Sequence, residues 1–537
     1  MPNIPPLITI FLPFLAAILG IFSYNNGTTT VAILDLFCPY TRSCLNQIIS
    51  PHYSSWDTWF HPSQYLFPKR SPGRERRKDW NLLYHLGGNG PWIEKVDGNG
   101  GDGVRGIKPP EGCVVEQVHL MARHAERYPT YSAGNRHFAL LNRIKETNLV
   151  LNGSLAFLNS WTYFTSDPST DFEQLTTTGP YAGTLEAFTT GVRFRTRYEH
   201  LIPKESDTRF WASDSERVIQ TAQYFASGLF GQNWEKDNIA KLQIIPETAD
   251  RRADTLTPGD TCLKYIDDLV DGHDKGVNML SLFHEAYIPA IAERLRSKEQ
   301  NPNIKFSNVD IFSMQEMCGF ETIVRGSSPW CDVFSEDDWE AFEYARDLIH
   351  YYRAGPGTPY AGAMGWLWLN ATTHLLQQGP DAGTMFFSLY VVLFAFPSIR
   401  GVLTLTNSVH DGDIAPFLTA LEIFKDSKYD PDLPTTHIAE DRVWRTSSVM
   451  PMGGRITLER LSCPSSSDST GNNGPFIRVN INDGIVPLPY CQSGPGKSCP
   501  LGQFVDFVQR RRTEVGEFGD VCGLEGDVGH ISFLHQD

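Results

Sequence analysis

The sequence predicts an α/β fold with an α-rich insertion, and three observations carry that prediction. Short strand candidates stand at Val114–Ala122, Thr208–Ala212 and Gly401–Leu405, and helical periodicity follows the first two. Residues 235–375 instead carry longer amphipathic patterns around Leu263–Val270, Met279–Leu295 and Trp339–Tyr352. Late in the chain, Phe476–Ile481 and Ile485–Leu488 flank Asn482-Asp483-Gly484, the turn chemistry of a β-hairpin.

Taken in order, Val114–Ala122 is a mainly apolar stretch and reads as a buried strand. Asn135–Lys145 follows with Phe138, Leu141 and Ile144 on one helical face. Thr176–Tyr198 reads as helical, punctuated by Gly179, Gly183 and Gly191. After Thr208–Ala212, Ser213 or Asp214 is placed to cap a helix bearing Val218, Ala222 and Phe225. No internal repeat is visible, and only Ser465–Asn473 is low in complexity.

A chain of 537 residues is too long for one small core, so it holds two domains or one domain with a large insertion. Its 41% hydrophobic and 20% charged residues are those of a globular protein. A net charge of −16 argues against a nucleic-acid partner, which calls for a basic face. The same acidity suits work at low pH, where carboxylate protonation relieves self-repulsion.

The N-terminal segment Ile4–Phe22 is apolar apart from Thr9, with Pro5, Pro6 and Pro13 set against a spanning helix. Residues 1–22 are therefore expected to be a cleaved secretion signal, or else a signal anchor that would tie the chain to a membrane. Sequons at Asn26, Asn152 and Asn370 offer glycan sites. Ten cysteines, an even count without a zinc-like spacing, favour disulfides over a metal site. Together these features point to a secreted, extracellular or cell-wall protein. Residues 23–80 read as a lead-in or linker, ending in the charged cluster Lys69–Lys78, where Lys69-Arg70 is either a processing site or a solvated basic turn. Cys38 and Cys44 are near enough in sequence to pair. The run Gly98-x-Gly100-x-x-Gly103 is not read as a nucleotide loop, because no strand precedes it and Lys108-Pro109-Pro110 follows it.

The densest chemistry lies at His119–Tyr131. The apolar strand runs directly into Arg123-His124, and Arg127 follows three residues later. Fixed positive charges on both sides disfavour the imidazolium, leaving a neutral histidine between two planar cationic forks. Such a histidine is suited to attack phosphorus while the forks hold phosphoryl oxygens. Arg217 opens the helix after the second strand, where the helix dipole also favours an anion. The third strand continues into His410-Asp411. Ligand sites in open α/β sheets gather at the carboxyl ends of strands, so these three ends are expected to form one pocket.

Arg123-His124-x-x-Arg127-x-Pro129 with a distant His410-Asp411 resembles the histidine acid phosphatases, branch two of the histidine phosphatase superfamily. Leu175-Thr176-x-x-Gly179, Arg197-Tyr198, Ser215-x-Arg217-Val218 and Val479-x-x-Asn482-Asp483-x-x-Val486-Pro487-Leu488 resemble further segments of that family. The likeness covers roughly residues 80–523, and Glu126-Arg127-Tyr128-Pro129-Thr130 is most similar to fungal secreted acid phosphatases and acid-optimum phytases of the phytase B type.

The resemblance implies a mixed, mostly parallel sheet flanked by helices, a phosphoglycerate mutase-like core. Its catalytic region would span 81–523, with core at 81–145, 204–232 and 376–523, α-rich insertions at 146–203 and 233–375, and a tail at 524–537. His124 would be the nucleophile, forming a phosphohistidine. Arg123, Arg127, Arg217 and His410 would bind the phosphate, and Asp411 would donate the proton to the leaving group. No cofactor and no metal is implied. The substrates would be small phosphomonoesters, with phytate as the alternative; Arg136 and Lys145 are local candidates for the extra cations a phytate pocket needs. A catalytically inactive cell-surface protein of the same fold is the remaining alternative, against which the intact His124, His410 and Asp411 stand. The implied disulfides are Cys113–Cys463, Cys262–Cys522, Cys318–Cys331 and Cys491–Cys499, with Cys38–Cys44 as the fifth; relatives often form homo-oligomers. Two positions depart from the family pattern. Ala125 replaces a usual glycine, which strains the turn if φ there is positive, and Gly412-Asp413 follows the His-Asp pair.

Overall fold

In a computed structural model, residues 80–94, 107–203, 208–297, 301–390, 414–464 and 474–535 are described. The apolar run after Cys113 forms β1 (Val114–Arg123), central in an eight-stranded mixed sheet. Its companions are β2 (Thr208–Ser213), β3 (Ala240–Ile245), β4 (Met385–Tyr390), β5 (Arg455–Ser462), β6 (Phe476–Ile481), β7 (Gly484–Ile485) and β8 (Cys499–Pro500). They order as β3-β2-β4-β1-β5-β6-β7, with β8 on β6. From β3 to β1 the strands are parallel; from β1 to β7 each neighbour is antiparallel. Four parallel strands thus share one carboxyl edge, and β1 is the seam between the halves.

Alternation along β1 divides its side chains between two cores. Val118, Leu120 and Ala122 join Phe210, Ala212, Phe387 and Leu389 beneath a helix pair. The other face carries Met121, Trp211 and Phe386 into a much larger cluster. That cluster is built with the long helices of the middle and end of the chain.

The long helices are α1 (Tyr131–Glu146), α2 (Gly183–Tyr198), α3 (Glu216–Phe230), α4 (Lys275–Leu295), α5 (Asn308–Arg325), α6 (Glu336–Ala354), α7 (Ala361–Gln378), α8 (Ile414–Ala420) and α9 (Leu501–Val515). Helices α5 and α6 start at reciprocal capping boxes, Ser307 with Asp310 and Ser335 with Asp338. The helix pair on the sheet is α2 and α3, which cross where both are glycine. A Cβ on Gly191 would stand 2.0 Å from the Phe225 carbonyl oxygen, and one on Gly228 would stand 2.1 Å from that of Phe188. Gly191→Ala is therefore expected to cost about 1–3 kcal/mol by forcing the helices apart; urea unfolding at unchanged stability would refute the close crossing.

The structure changes several sequence expectations. Within Thr176–Tyr198 only Gly183–Tyr198 is helical, because Gly179 takes φ +87° and breaks the run. Neither Ser213 nor Asp214 caps α3: Ser213 ends β2, and Ser215 holds the N-cap position without a side-chain bond. The hairpin turns as expected on Asn482 and Asp483, both at positive φ (51° and 63°), yet its second strand is only Gly484–Ile485. Leu263–Val270 yields the short helix Leu263–Asp267 before the chain turns. The expected strand Gly401–Leu405 lies outside the described residues; the strand between β2 and β1 is β4, Met385–Tyr390.

All four disulfides implied within the described residues are formed: Cys113–Cys463, Cys262–Cys522, Cys318–Cys331 and Cys491–Cys499. The first ties β1 to β5 beside their pairing of Val114 with Ser462. Cys38 and Cys44 lie outside the described residues, as do Asn26 and residues 4–22. Asn152 is exposed at the start of the turn Gly153–Asn159, whereas Asn370 is half-buried within α7.

Candidate active site

The carboxyl end of β1 delivers Arg123 and then His124 into a turn fixed by backbone bonds on both sides. Arg123 N–H donates to the Gly454 carbonyl (2.8 Å), and Gly453 N–H donates to the His124 carbonyl (2.8 Å). Ala125 N–H reaches across to Thr221 Oγ1 on α3 (3.1 Å). Ala125 is fully buried and is not among the residues at positive φ, so its methyl adds no backbone strain. The departure from glycine is absorbed.

His124 is fully buried. Its Nδ1–H donates to the Ala125 carbonyl (2.7 Å), which places the lone pair on Nε2. Arg127 Nε–H points at that lone pair from 3.3 Å. Burial pushes the imidazole well below the ordinary histidine range, and the Arg123, Arg127 and Arg217 guanidiniums push it further, outweighing the opposing bond to Ala125. Both effects oppose protonation of the ring, and the bond to Ala125 sets its proton on Nδ1.

The three arginines are set by different elements. Arg123 Nη1 donates to the Gly88 and Met450 carbonyls (3.0 and 2.9 Å). Arg127 Nη1 donates to the Tyr128 carbonyl (2.9 Å). Arg217, 2% exposed in the first turn of α3, is 3.8 Å from Glu173 Oε2. Segment 173–176 runs antiparallel to 126–129 and forms the wall beside Arg127: Tyr128 N–H donates to the Gln174 carbonyl and Glu173 N–H to that of Pro129. Gly183 lets the start of α2 approach this wall, since a Cβ there would stand 1.9 Å from the Glu126 carbonyl oxygen. His410, Asp411, Gly412 and Asp413 lie outside the described residues.

Beneath the turn is a buried ionic core. Arg455 donates to Glu186 Oε1 (3.2 Å) and Asp483 Oδ2 (2.6 Å), and its guanidinium lies 4.0 Å from the centre of the Trp92 ring. Arg197 and Arg193 also reach Asp483, at 3.0 and 3.6 Å. Burial raises the Asp483 carboxyl, but Arg197, Arg455 and Arg193 outweigh it and hold the group far below the usual carboxylate range. Glu126 and Glu186 go the other way: burial raises both, and for Glu126 the neighbouring Glu186 adds to it. Glu126 Oε1 accepts from Trp92 N–H at 2.6 Å, so the acidic member of the His124 motif faces the core.

Two cations suggested for a phytate pocket are placed differently. Arg136 is held by Glu316 at 2.8 Å, and Lys145 is exposed nine residues on. At 1.5 Å per residue, that is roughly 14 Å further along α1. Glu173 and Thr221 had no sequence signal of their own; the nearby Leu175-Thr176 pattern marked the wall without marking the carboxylate. Among the described residues no group of His, Cys, Asp and Glu is placed to hold a metal ion.

A neutral, buried histidine ringed by guanidiniums at the carboxyl edge of a parallel half-sheet defines a phosphoryl-transfer site of the histidine phosphatase type. The chain belongs to the histidine phosphatase superfamily (branch 2), whose family model matches residues 114–482. Among its relatives is Phytase PHO112 of Candida albicans, 33% identical over 457 residues that cover 84% of this chain and 89% of the relative. Acid phosphatase PHO1 of Komagataella pastoris is 32% identical over 474 residues, covering 87% and 92%. The crystal structure of the phytase from D. castellii superposes with a TM-score of 0.72 at 29% identity, covering 86% and 92% of the two chains.

Proposed function

We propose that this chain is an exported acid phosphatase that hydrolyses phosphomonoesters through a phosphohistidine. The observation that carries the reading is His124 itself: its proton is fixed on Nδ1 by Ala125, and its Nε2 lone pair lies among three guanidiniums. Nε2 attacks phosphorus as the P–O bond to the leaving alcohol breaks. Asp411 supplies the proton that alcohol needs. Water then attacks the phosphohistidine, returning a proton to Asp411 and releasing inorganic phosphate and free Nε2. Arg123, Arg127, Arg217 and His410 hold the three phosphoryl oxygens throughout, spreading their charge in the transition state. The leaving-group acid must be protonated to act, so turnover is favoured in acid.

Relatives named as acid phosphatases and as phytases match over similar lengths, and the D. castellii phytase supports phytate as a second substrate. Against phytate selectivity stand the pairing of Arg136 with Glu316 and the distance to Lys145. Export is supported by the apolar segment 4–22, the exposed sequon at Asn152 and four disulfides, which persist in oxidising compartments.

The test is phosphate release from a small aryl phosphate and from phytate at acid pH. Turnover of the aryl ester at least as fast as phytate is expected; phytate turnover alone would make the chain a phytase, and neither would leave an inactive protein. Asp411→Asn is expected to spare aryl esters, whose leaving groups need no proton, and to lose most activity on alkyl esters. Equal losses on both would refute the general-acid assignment.

A further inference from the structure

Glu173 is built into the wall of the pocket in a conformation that few residues adopt. Its φ is +68°, in the left-handed region where a glutamate is strained, and the neighbouring chain holds it there. Its own N–H bonds Pro129, the flanking Gln174 carbonyl accepts from Tyr128, and Gln174 N–H bonds Asp171. This backbone turns the side chain back toward the site. Oε1 accepts from Tyr131 N–H at 3.4 Å, and Oε2 lies 3.8 Å from Arg217 Nη1, with the carboxylate side chain only 17% exposed.

The charge balance gives this placement a meaning. Arg123, Arg127 and Arg217 all act on His124, and Glu173 Oε2 faces Arg217. A bound phosphoryl group must share Arg217 with it. A guanidinium already facing one carboxylate gives up part of its attraction for a second anion, while its direction stays fixed.

Building on the phosphatase reading, we propose that Glu173 is a specificity and release residue: by sharing Arg217 it lowers the pocket's affinity for phosphate, so that product leaves. The pocket is then matched to a single phosphoryl group in passage rather than to a retained anion. The cost of a carboxylate at this wall rises with the charge of the substrate, so Glu173 also biases the site toward monophosphates over crowded polyphosphates.

Glu173→Gln keeps the size, the acceptor for Tyr131 and tolerance of the backbone, while removing the charge. Inorganic phosphate is titrated into the unaltered protein and into the variant by calorimetry, and its inhibition constant is measured against a small aryl phosphate. About three- to fivefold tighter phosphate binding is expected, the size of one partly exposed charge pair. KM for phytate should fall more than KM for the aryl ester. Glu173→Asp, with the charge retained, should bind phosphate closer to the unaltered protein than Glu173→Gln does. Unchanged or weaker phosphate binding in a normally folded Glu173→Gln would overturn the proposal, because Glu173 would then only position Arg217 or brace the wall. If the glutamine variant does not fold, the aspartate variant and a Glu173→Ser variant carry the same comparison. Failure of the unaltered protein to hydrolyse any ester would instead refute the phosphatase reading, and the calorimetric comparison is read separately from it.

Discussion

Replacing His124 with alanine is expected to abolish phosphate release, by at least about 10⁴-fold, while the protein keeps its circular dichroism and its cooperative melt. The loss follows because no other described group lies where Nε2 does, with its partner nitrogen pinned and three guanidiniums around it. The fold survives because β1 is paired on both sides before the chain reaches His124. The pH profile supplies a second test. An ordinary histidine, with a pKa of about 6.5, would be roughly 99% protonated at pH 4.5 and useless as a nucleophile. His124 is held well below that value, first by burial and then by the arginines, so it stays neutral as pH falls. Activity should therefore persist through pH 4.5, and an acid limb of kcat/KM with a midpoint near 6.5 would refute the neutral nucleophile.

Replacing Arg455 with methionine is expected to destabilise the protein by about 3–5 kcal/mol, the usual cost of stranding a buried partner charge. Arg455 is 1% exposed and joins Glu186, Asp483 and the Trp92 ring. Without it Asp483 keeps Arg197 and Arg193, and Glu186 keeps Thr190 and the more weakly acting Arg193. The Glu186 carboxyl is already raised by burial, and losing Arg455 raises it further. A raised carboxyl is protonated in the folded protein at low pH, and its destabilising charge appears as pH climbs through the folded-state value. The deficit should consequently be larger at pH 7 than at pH 4, as read by urea unfolding. A deficit independent of pH would show that Arg455 acts through packing on Trp92 alone.

Much of this was legible in the sequence where burial is severe. β1 and β2 read as strands because their apolar residues are covered on both faces, and the apolar positions of Trp339–Tyr352 marked α6 although it is buried on nearly every side. The Arg123-His124-x-x-Arg127 cluster was legible because charges placed directly after an apolar strand have no structural reason to be there. Other elements hid for physical reasons. β3 is an edge strand with Lys241, Gln243 and Ile244 open to solvent, so its apolar signal is diluted. β4 is a short, mainly apolar run, Met385–Tyr390 with Ser388 inside it, that periodicity alone does not separate from a helix. α5 is buried nearly all round and went unread; Ser307 and Asp310, the residues of its capping box, are the local mark of its start. Glu173 could not be found at all from sequence, since its role depends on a left-handed backbone and on Arg217, 44 positions later.

The position of β1 also governs the order in which the molecule is made. β1 is the first of the described strands to be synthesised, yet its neighbours are β4 and β5, and its flanking cysteine pairs with one 350 residues downstream. At about 5–20 residues per second, an emerging β1 waits roughly 20–70 s for its second edge. For that time the central strand of the sheet, with His124 at its tip, is without its neighbours. Assembly of the catalytic centre is therefore among the last events of biogenesis, and the nascent chain has a long interval in which it depends on the folding machinery around it.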